Sequence, residues 1–105
     1  MSSLNVVIAE VRDERERQIK LGYTAEHDDD LEGGKQLAKG AAAYALYATF
    51  ENDADETVQK LWPWAEVDFK PTNHRRNVVK ATAMLIAELQ RIDRNTEREQ
   101  DKSND

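Results

Sequence analysis

Lys70, His74, Arg75, Arg76 and Lys80 fall within eleven residues, shortly after Trp62 and Trp64 in "KLWPWAEVDFKPTNHRR". Gathered cations of this kind hold phosphate or carboxylate, Arg as a two-pronged fork and Lys as a point charge. His74, Arg75 and Arg76 fall in the first turn of a helix that Thr72 or Asn73 can cap. That end already carries the positive pole of the helix dipole and unpaired amide donors, so extra cations there favour an anionic ligand. Indole rings beside such a cluster can stack on a nucleobase. The pattern points to an anion site: Lys70, His74, Arg75, Arg76 and Lys80 supply charge, and Trp62 and Trp64 stack. The same residues also have a structural reading. Tryptophans beside a proline plug a core, and the cations pair with acids such as Glu14, Glu16 or the Asp28 to Asp30 run. The stretch is no Walker loop and holds no Gly-rich cradle.

The acids offer a second chemistry. In "EHDDD" the carboxylates of Asp28 and Asp29 can take Mg²⁺, or His27 and Asp28 can form an acid/base pair. The structural alternative is an N-cap cluster for the next helix. On the first helix, Glu10 and Glu14 share a face, as do Asp13 and Glu16, with Arg12, Arg15 and Arg17 close enough to neutralise them. Glu88 borders an apolar stripe and needs a partner, with Arg15 or Lys80 as candidates.

These groups are positioned by helices. The first spans about Ser3 to Leu21, with Ser2 or Ser3 as cap and Gly22 as the C-terminal stop. Its stripe of Leu4, Val7, Ile8, Val11 and Ile19 is interrupted by Glu14, Arg15 and Gln18. Those polar groups either project past the core or line a site. A second helix spans about Leu31 to Phe50, capped by Asp29 or Asp30, and its small residues Gly40, Ala41, Ala45 and Ala48 allow close packing. A short helix follows, with a capping box at Asp53 to Glu56, and Pro63 stops it. Ala65 to Phe69 has extended character. The last helix spans about His74 to Arg94, and its strongest stripe is Val78, Thr82, Leu85, Leu89 and Ile92. The expected fold is all-α: a small bundle of three main helices plus one short helix, with a Trp-Pro-Trp loop, as a single domain over residues 1–94. Residues 95–105 are expected to form a polar, disordered tail.

With 21 acids against 15 bases the net charge is −6, which argues against non-specific DNA binding. There is no cysteine, so thiolate metal sites and disulfides are excluded. No run is long and apolar enough for a membrane span, and the start lacks the pattern of a signal peptide, so a cytoplasmic protein is expected.

Taken together, "GYTAEHDDD", "LAKGAAAYALYA", "WPW", the Lys70 to Arg76 stretch and "NVVKATAMLIAELQRIDR" resemble a family of small phage and prophage proteins. Its members share an E-H-D-D loop, an A-A-x-Y-A helix, a W-P-W loop and a basic R-R-x-L-V-K-A helix ending in A-E-I-x-R-L-D-R. The resemblance covers roughly residues 12–94. It implies a phage-encoded protein of the bacterial cytoplasm and implies no reaction, and it suggests that His27, Asp28, Asp29, Tyr44, Trp62, Trp64, Lys70, Arg75, Arg76 and Lys80 converge on one pocket. Asn77 stands where the family pattern often has an acid, and Thr82 where it often has Gly.

Three functions follow as expectations. The first is an accessory protein that binds a nucleotide or nucleotide-derived signal, to sequester it or otherwise counter host defence. The second is a Mg²⁺-dependent all-α nucleotide pyrophosphohydrolase. That class uses E-x-x-E and E-x-x-D on neighbouring helices, whereas this chain offers Glu10-x-x-Asp13 and no E-x-x-D on the last helix, which argues against catalysis. The third is an acidic inhibitor that mimics DNA towards a host nucleic-acid enzyme. The small-residue second helix also suits a homodimer.

Overall fold

A computed structural model describes residues 3–29, 35–47 and 55–103. Among these residues five α-helices follow in order: α1 (Leu4–Lys20), α2 (Ala25–Asp29), α3 (Gln36–Leu46), α4 (Asp55–Leu61) and α5 (His74–Ser103). The fold is all-α, with no strand among the described residues, and α1, α3 and α5 form the main body. Ser3 caps α1 by accepting from the Val6 amide at 3.2 Å. At its other end Gly22 takes φ +113°, its amide donates to the Ile19 carbonyl, and that of Tyr23 donates to Gln18. This paired closure satisfies the last carbonyls and needs a residue that tolerates positive φ. It also turns Tyr23 back over α1.

Three element expectations change. The E-H-D-D stretch is itself helical, as α2, so Asp29 does not cap the next helix. Asp30, Leu31, Phe50 and the Asp53 end of the capping box lie outside the described residues. Ala65 to Phe69 is not a strand but contains a 3₁₀ turn over Glu66–Asp68. α5 runs on through Ser103. Arg94 and Arg98, one turn apart, both bond Asp29, which ties this polar stretch to α2.

The core also differs from the expected stripe. Leu85 is 46% exposed, Leu89 61% and Ile92 43%, and Val78 and Thr82 are exposed as well. The buried face of α5 carries Asn77, Val79, Lys80, Ala81, Ala83, Met84 and Ala87 instead. Against it lie Ala41, Ala43 and Tyr44 of α3, with Val58 and Trp62. Small residues on both helices let the backbones come close, and the aromatics supply the volume that branched aliphatics would otherwise fill. Gly40 sits at the tightest point: a Cβ there would lie 2.6 Å from Met84 Cε and 2.7 Å from Trp64 Cζ3. A smaller cluster joins Val11 of α1 to Val79, Ala83 and Ile86 of α5. None of the described helices is long and apolar enough to cross a membrane.

Candidate ligand cavity

A cavity of about 320 Å³ opens between α1, α3 and α5. Its charged lining is four cations, Arg15, Arg17, Lys70 and Lys80, against two carboxylates, Glu14 and Asp68. Leu21, Tyr23, Leu37, Tyr44, Trp62 and Met84 supply apolar and aromatic wall. A net positive interior is notable in a chain of charge −6. A second recess of about 230 Å³ is lined by Leu21, Gly22, Tyr23, His27, Trp64 and Asp68. The two share Leu21, Tyr23 and Asp68.

Each wall is fixed by hydrogen bonds. Lys80 Nζ donates to the Lys70 carbonyl at 2.7 Å and lies 5.4 Å from the centre of the Tyr44 ring. The Lys70 amide donates to Tyr44 Oη at 3.1 Å. Asn77, fully buried, accepts from the Thr72 amide at 2.7 Å and donates to its carbonyl. Lys80, Tyr44 and Asn77 thus hold the segment before α5 in place, so that Lys70 stands at the rim. Trp62 Nε1 donates to the Ala65 carbonyl at 3.0 Å. The rings of Tyr44, Trp62, Trp64, Tyr23 and His27 run in a chain with successive centroids 5.0–5.9 Å apart. Edge-on contacts dominate it, a geometry favoured by ring quadrupoles.

The Glu14 carboxylate is 1% exposed. Arg17 grips it with Nε at 2.7 Å and Nη2 at 2.9 Å, Gln18 donates at 3.1 Å, and Arg76 closes the group from α5. Burial alone would push its pKa up. The bonds from Arg17, the charges of Arg17 and Arg76, and the bond from Gln18 outweigh this and hold it below the usual carboxylate range. Burial lowers the Lys80 pKa, and the nearby Arg17 and Arg76 charges add to the effect against the pull of Glu14. Burial raises the Tyr23 and Tyr44 phenols, so both stay neutral donors at neutral pH.

The residues proposed from sequence divide into groups. Tyr44, Trp62, Lys70 and Lys80 line the main cavity, and Trp64 and His27 line the recess. Arg75 and Arg76 line neither. Arg75 makes a two-pronged pair with Glu10, at 2.9 and 2.7 Å, and Arg76 is spent on Glu14. His74 is exposed at the helix start, where Asn73 provides the cap by accepting from the Arg76 amide at 2.9 Å.

Asp28 and Asp29 face different partners. Asp28 is fully buried, with Arg15 Nη2 at 3.4 Å and His27 Nδ1 at 3.0 Å. Asp29 pairs with Arg94 and Arg98. Among the described residues, no group of three or more His, Asp or Glu side chains is arranged to hold a metal ion. Glu88 pairs within its own helix, with Arg91 Nε at 2.6 Å, rather than with Arg15 or Lys80.

Tyr23 and Asp68 were not singled out from sequence, Arg17 only as a neutraliser of the α1 acids, and Gln18 only with Glu14 and Arg15 as polar groups that either project past the core or line a site. The available signal was the polar half of the α1 stripe. Glu14, Arg15 and Gln18 are buried there and border the cavity. Arg15 donates to the Tyr23 carbonyl at 2.9 Å and to Gln90 at 3.2 Å, which braces the Tyr23 wall against α1 and α5.

Comparison of the chain with protein-family models, with curated proteins and with solved structures found no match.

Proposed function

We propose that the protein binds a small anionic ligand of nucleotide type in this cavity. The supporting observation is its lining: four cations and several aromatic rings in an acidic chain. The phosphate meets Arg17, Lys70 and Lys80. Arg17 spends Nε and Nη2 on Glu14, so Nη1 keeps its donors for the ligand. Lys80 uses one of three ammonium donors on the Lys70 carbonyl. The base lies against Tyr23, Trp64 and His27 in the adjoining recess, and Asp68, on the wall common to both spaces, accepts from a sugar hydroxyl or exocyclic amine. The cavity volume is at the small end of the usual range for ligand sites, which favours a ligand of mononucleotide size shared between the main space and the recess.

The resemblance of the Trp-Pro-Trp loop and the flanking helices to small phage proteins supports a role in the infected bacterial cell. There the protein sequesters a nucleotide-derived signal and so counters host defence. Thermal unfolding of the purified protein with nucleoside phosphates, cyclic nucleotides and ADP-ribose derivatives, each with and without Mg²⁺, tests this. A ligand at about 100 times its dissociation constant adds about 2.7 kcal/mol. The expected result is such a shift for one chemical class, independent of Mg²⁺. No shift with any of them refutes the proposal.

A further inference from the structure

The recess beside the main cavity holds a histidine whose ring is set by a buried acid. Thr24, just before α2, accepts from the His27 amide with its hydroxyl at 3.3 Å and from the Asp28 amide with its carbonyl at 2.9 Å. These bonds fix the backbone of both residues. Asp28 is fully buried against Arg15, and a carboxylate paired with an arginine offers only acceptors. His27 Nδ1, at 3.0 Å from Asp28 Oδ1, therefore carries the ring proton. In the neutral ring Nε2 is then an acceptor, and it has no partner among the described residues. The ring is about a third exposed and lines the recess beside Tyr23 and Trp64, with centroids 5.2 and 6.3 Å away.

Asp68 brings a second acceptor to the same recess. It ends the 3₁₀ turn, and its amide bonds the Ala65 carbonyl that also takes the Trp62 indole proton. Its carboxylate makes no ion pair among the described residues. Burial first, and then the Asp68 charge, raises the Tyr23 phenol, so that hydroxyl remains a donor beside the carboxylate. The bases differ in what they can give such a lining. The two oxygens of a carboxylate accept side by side. Guanine presents an imino N–H next to an amino group on one edge, which matches them. Adenine and cytosine set a bare ring nitrogen next to their amino group, so one carboxylate oxygen would face a lone pair. Uracil has a single N–H between two carbonyls. The second amino hydrogen of guanine needs a further acceptor, which His27 Nε2 supplies, and its ring carbonyl suits the Tyr23 hydroxyl.

We propose that the recess selects guanine, with Asp68 accepting from the imino N–H and one amino hydrogen and His27 Nε2 accepting from the other, so that the ligand is a guanine nucleotide. This rests on the reading of the cavity as a nucleotide site. Asp28 is a positioning residue, because it acts on the base only through the His27 ring.

Calorimetric titration with the monophosphates of guanosine, inosine, adenosine and xanthosine tests it in the native protein, Asp68→Asn and His27→Phe. Asp68 is exposed, and a phenyl ring at position 27 keeps the packing on Tyr23 and Trp64, so both variants should unfold close to the native temperature. The native protein should bind the guanine nucleotide at least about tenfold more tightly than the adenine one, with the inosine compound, which lacks the amino group, in between. In Asp68→Asn an amide N–H replaces one acceptor and can donate to the carbonyl that xanthine carries in place of the amino group, so the xanthine nucleotide should become the tighter ligand. His27→Phe should weaken the guanine nucleotide at least about threefold and leave the inosine compound within about twofold, whereas a merely structural role would weaken both alike. Adenine bound as tightly as guanine in the native protein, a guanine preference that survives in Asp68→Asn, or a parallel loss in His27→Phe overturns the inference and leaves the nucleotide reading standing. Binding of none of the four overturns both.

Discussion

Glu14 on α1 and Arg76 on α5 form an ion pair with the carboxylate buried and the guanidinium two-thirds covered. It joins the two helices at the edge of the cavity, and the first turn of α5 thereby loses one of its cations to the fold. Glu14→Ala removes the anion from between Arg17 and Arg76. Breaking a fully buried pair costs about 3–5 kcal/mol, and here about 2–3 is expected because both arginines still reach water. Chemical denaturation measures it. Glu14→Gln keeps the bond to Gln18 within reach and should lose less.

The same carboxylate gives an acid signature. Its pKa is held below the ordinary value of 4.5, so the folded state binds its proton less readily than the unfolded chain. The stability it contributes is complete above the unfolded value and is lost as pH falls through the folded one. The acid limb of a stability–pH curve should therefore be shallower in Glu14→Gln than in the native protein. Identical limbs would mean that Glu14 does not carry this linkage.

Lys80 titrates in the opposite sense. Burial lowers its pKa below 10.5, so between the lowered value and 10.5 the unfolded chain holds more protons and stability rises with pH. An anion bound beside the ammonium raises the pKa again. Ligand binding should take up protons and weaken as pH climbs through the free-protein value. Calorimetry in buffers of different ionisation enthalpy detects that uptake, and Lys80→Met should abolish it.

Gly40 tests the close approach of α3 and α5. A side chain of any size meets Met84 and Trp64. Ala is the mildest change, because its gain in helix propensity offsets part of the cost of shifting the Met84 methyl and the Trp64 ring. Gly40→Leu overpacks the site and should cost about 1–3 kcal/mol in thermal or chemical unfolding. It should also disturb the tryptophan fluorescence.

Much of the fold was legible because caps and stops are local. Ser3, Gly22 and Asn73 act where their chemistry placed them. The orientation of α5 was not legible by the same means. Its aliphatic stripe is the stronger hydrophobic signal, yet Ala81, Ala83, Met84 and Ala87 face inward, because small residues suit the close approach that Gly40 and Ala41 permit. A stripe weighted by side-chain size finds the wrong face of such a helix. For the cavity, Trp62, Lys70 and Lys80 were readable as a group near one loop, and Tyr44 joined them only through the resemblance. Arg75 and Arg76 were not separable from them, because their partners Glu10 and Glu14 lie more than sixty residues away. Asn77 was seen only as a departure from an acid, although its amide matches the two backbone groups of Thr72 as a carboxylate would not.

The central claim is that the anion site is the aromatic cavity rather than the basic start of α5. Titration of the intrinsic fluorescence of Trp62 and Trp64 with nucleoside phosphates, and with inorganic phosphate as control, tests it most directly in three proteins: native, Arg75→Ala and Lys80→Met. The predicted result is a saturable change for the native protein, kept within about twofold in Arg75→Ala and weakened at least about tenfold in Lys80→Met. Binding that survives in Lys80→Met and disappears in Arg75→Ala would contradict the account.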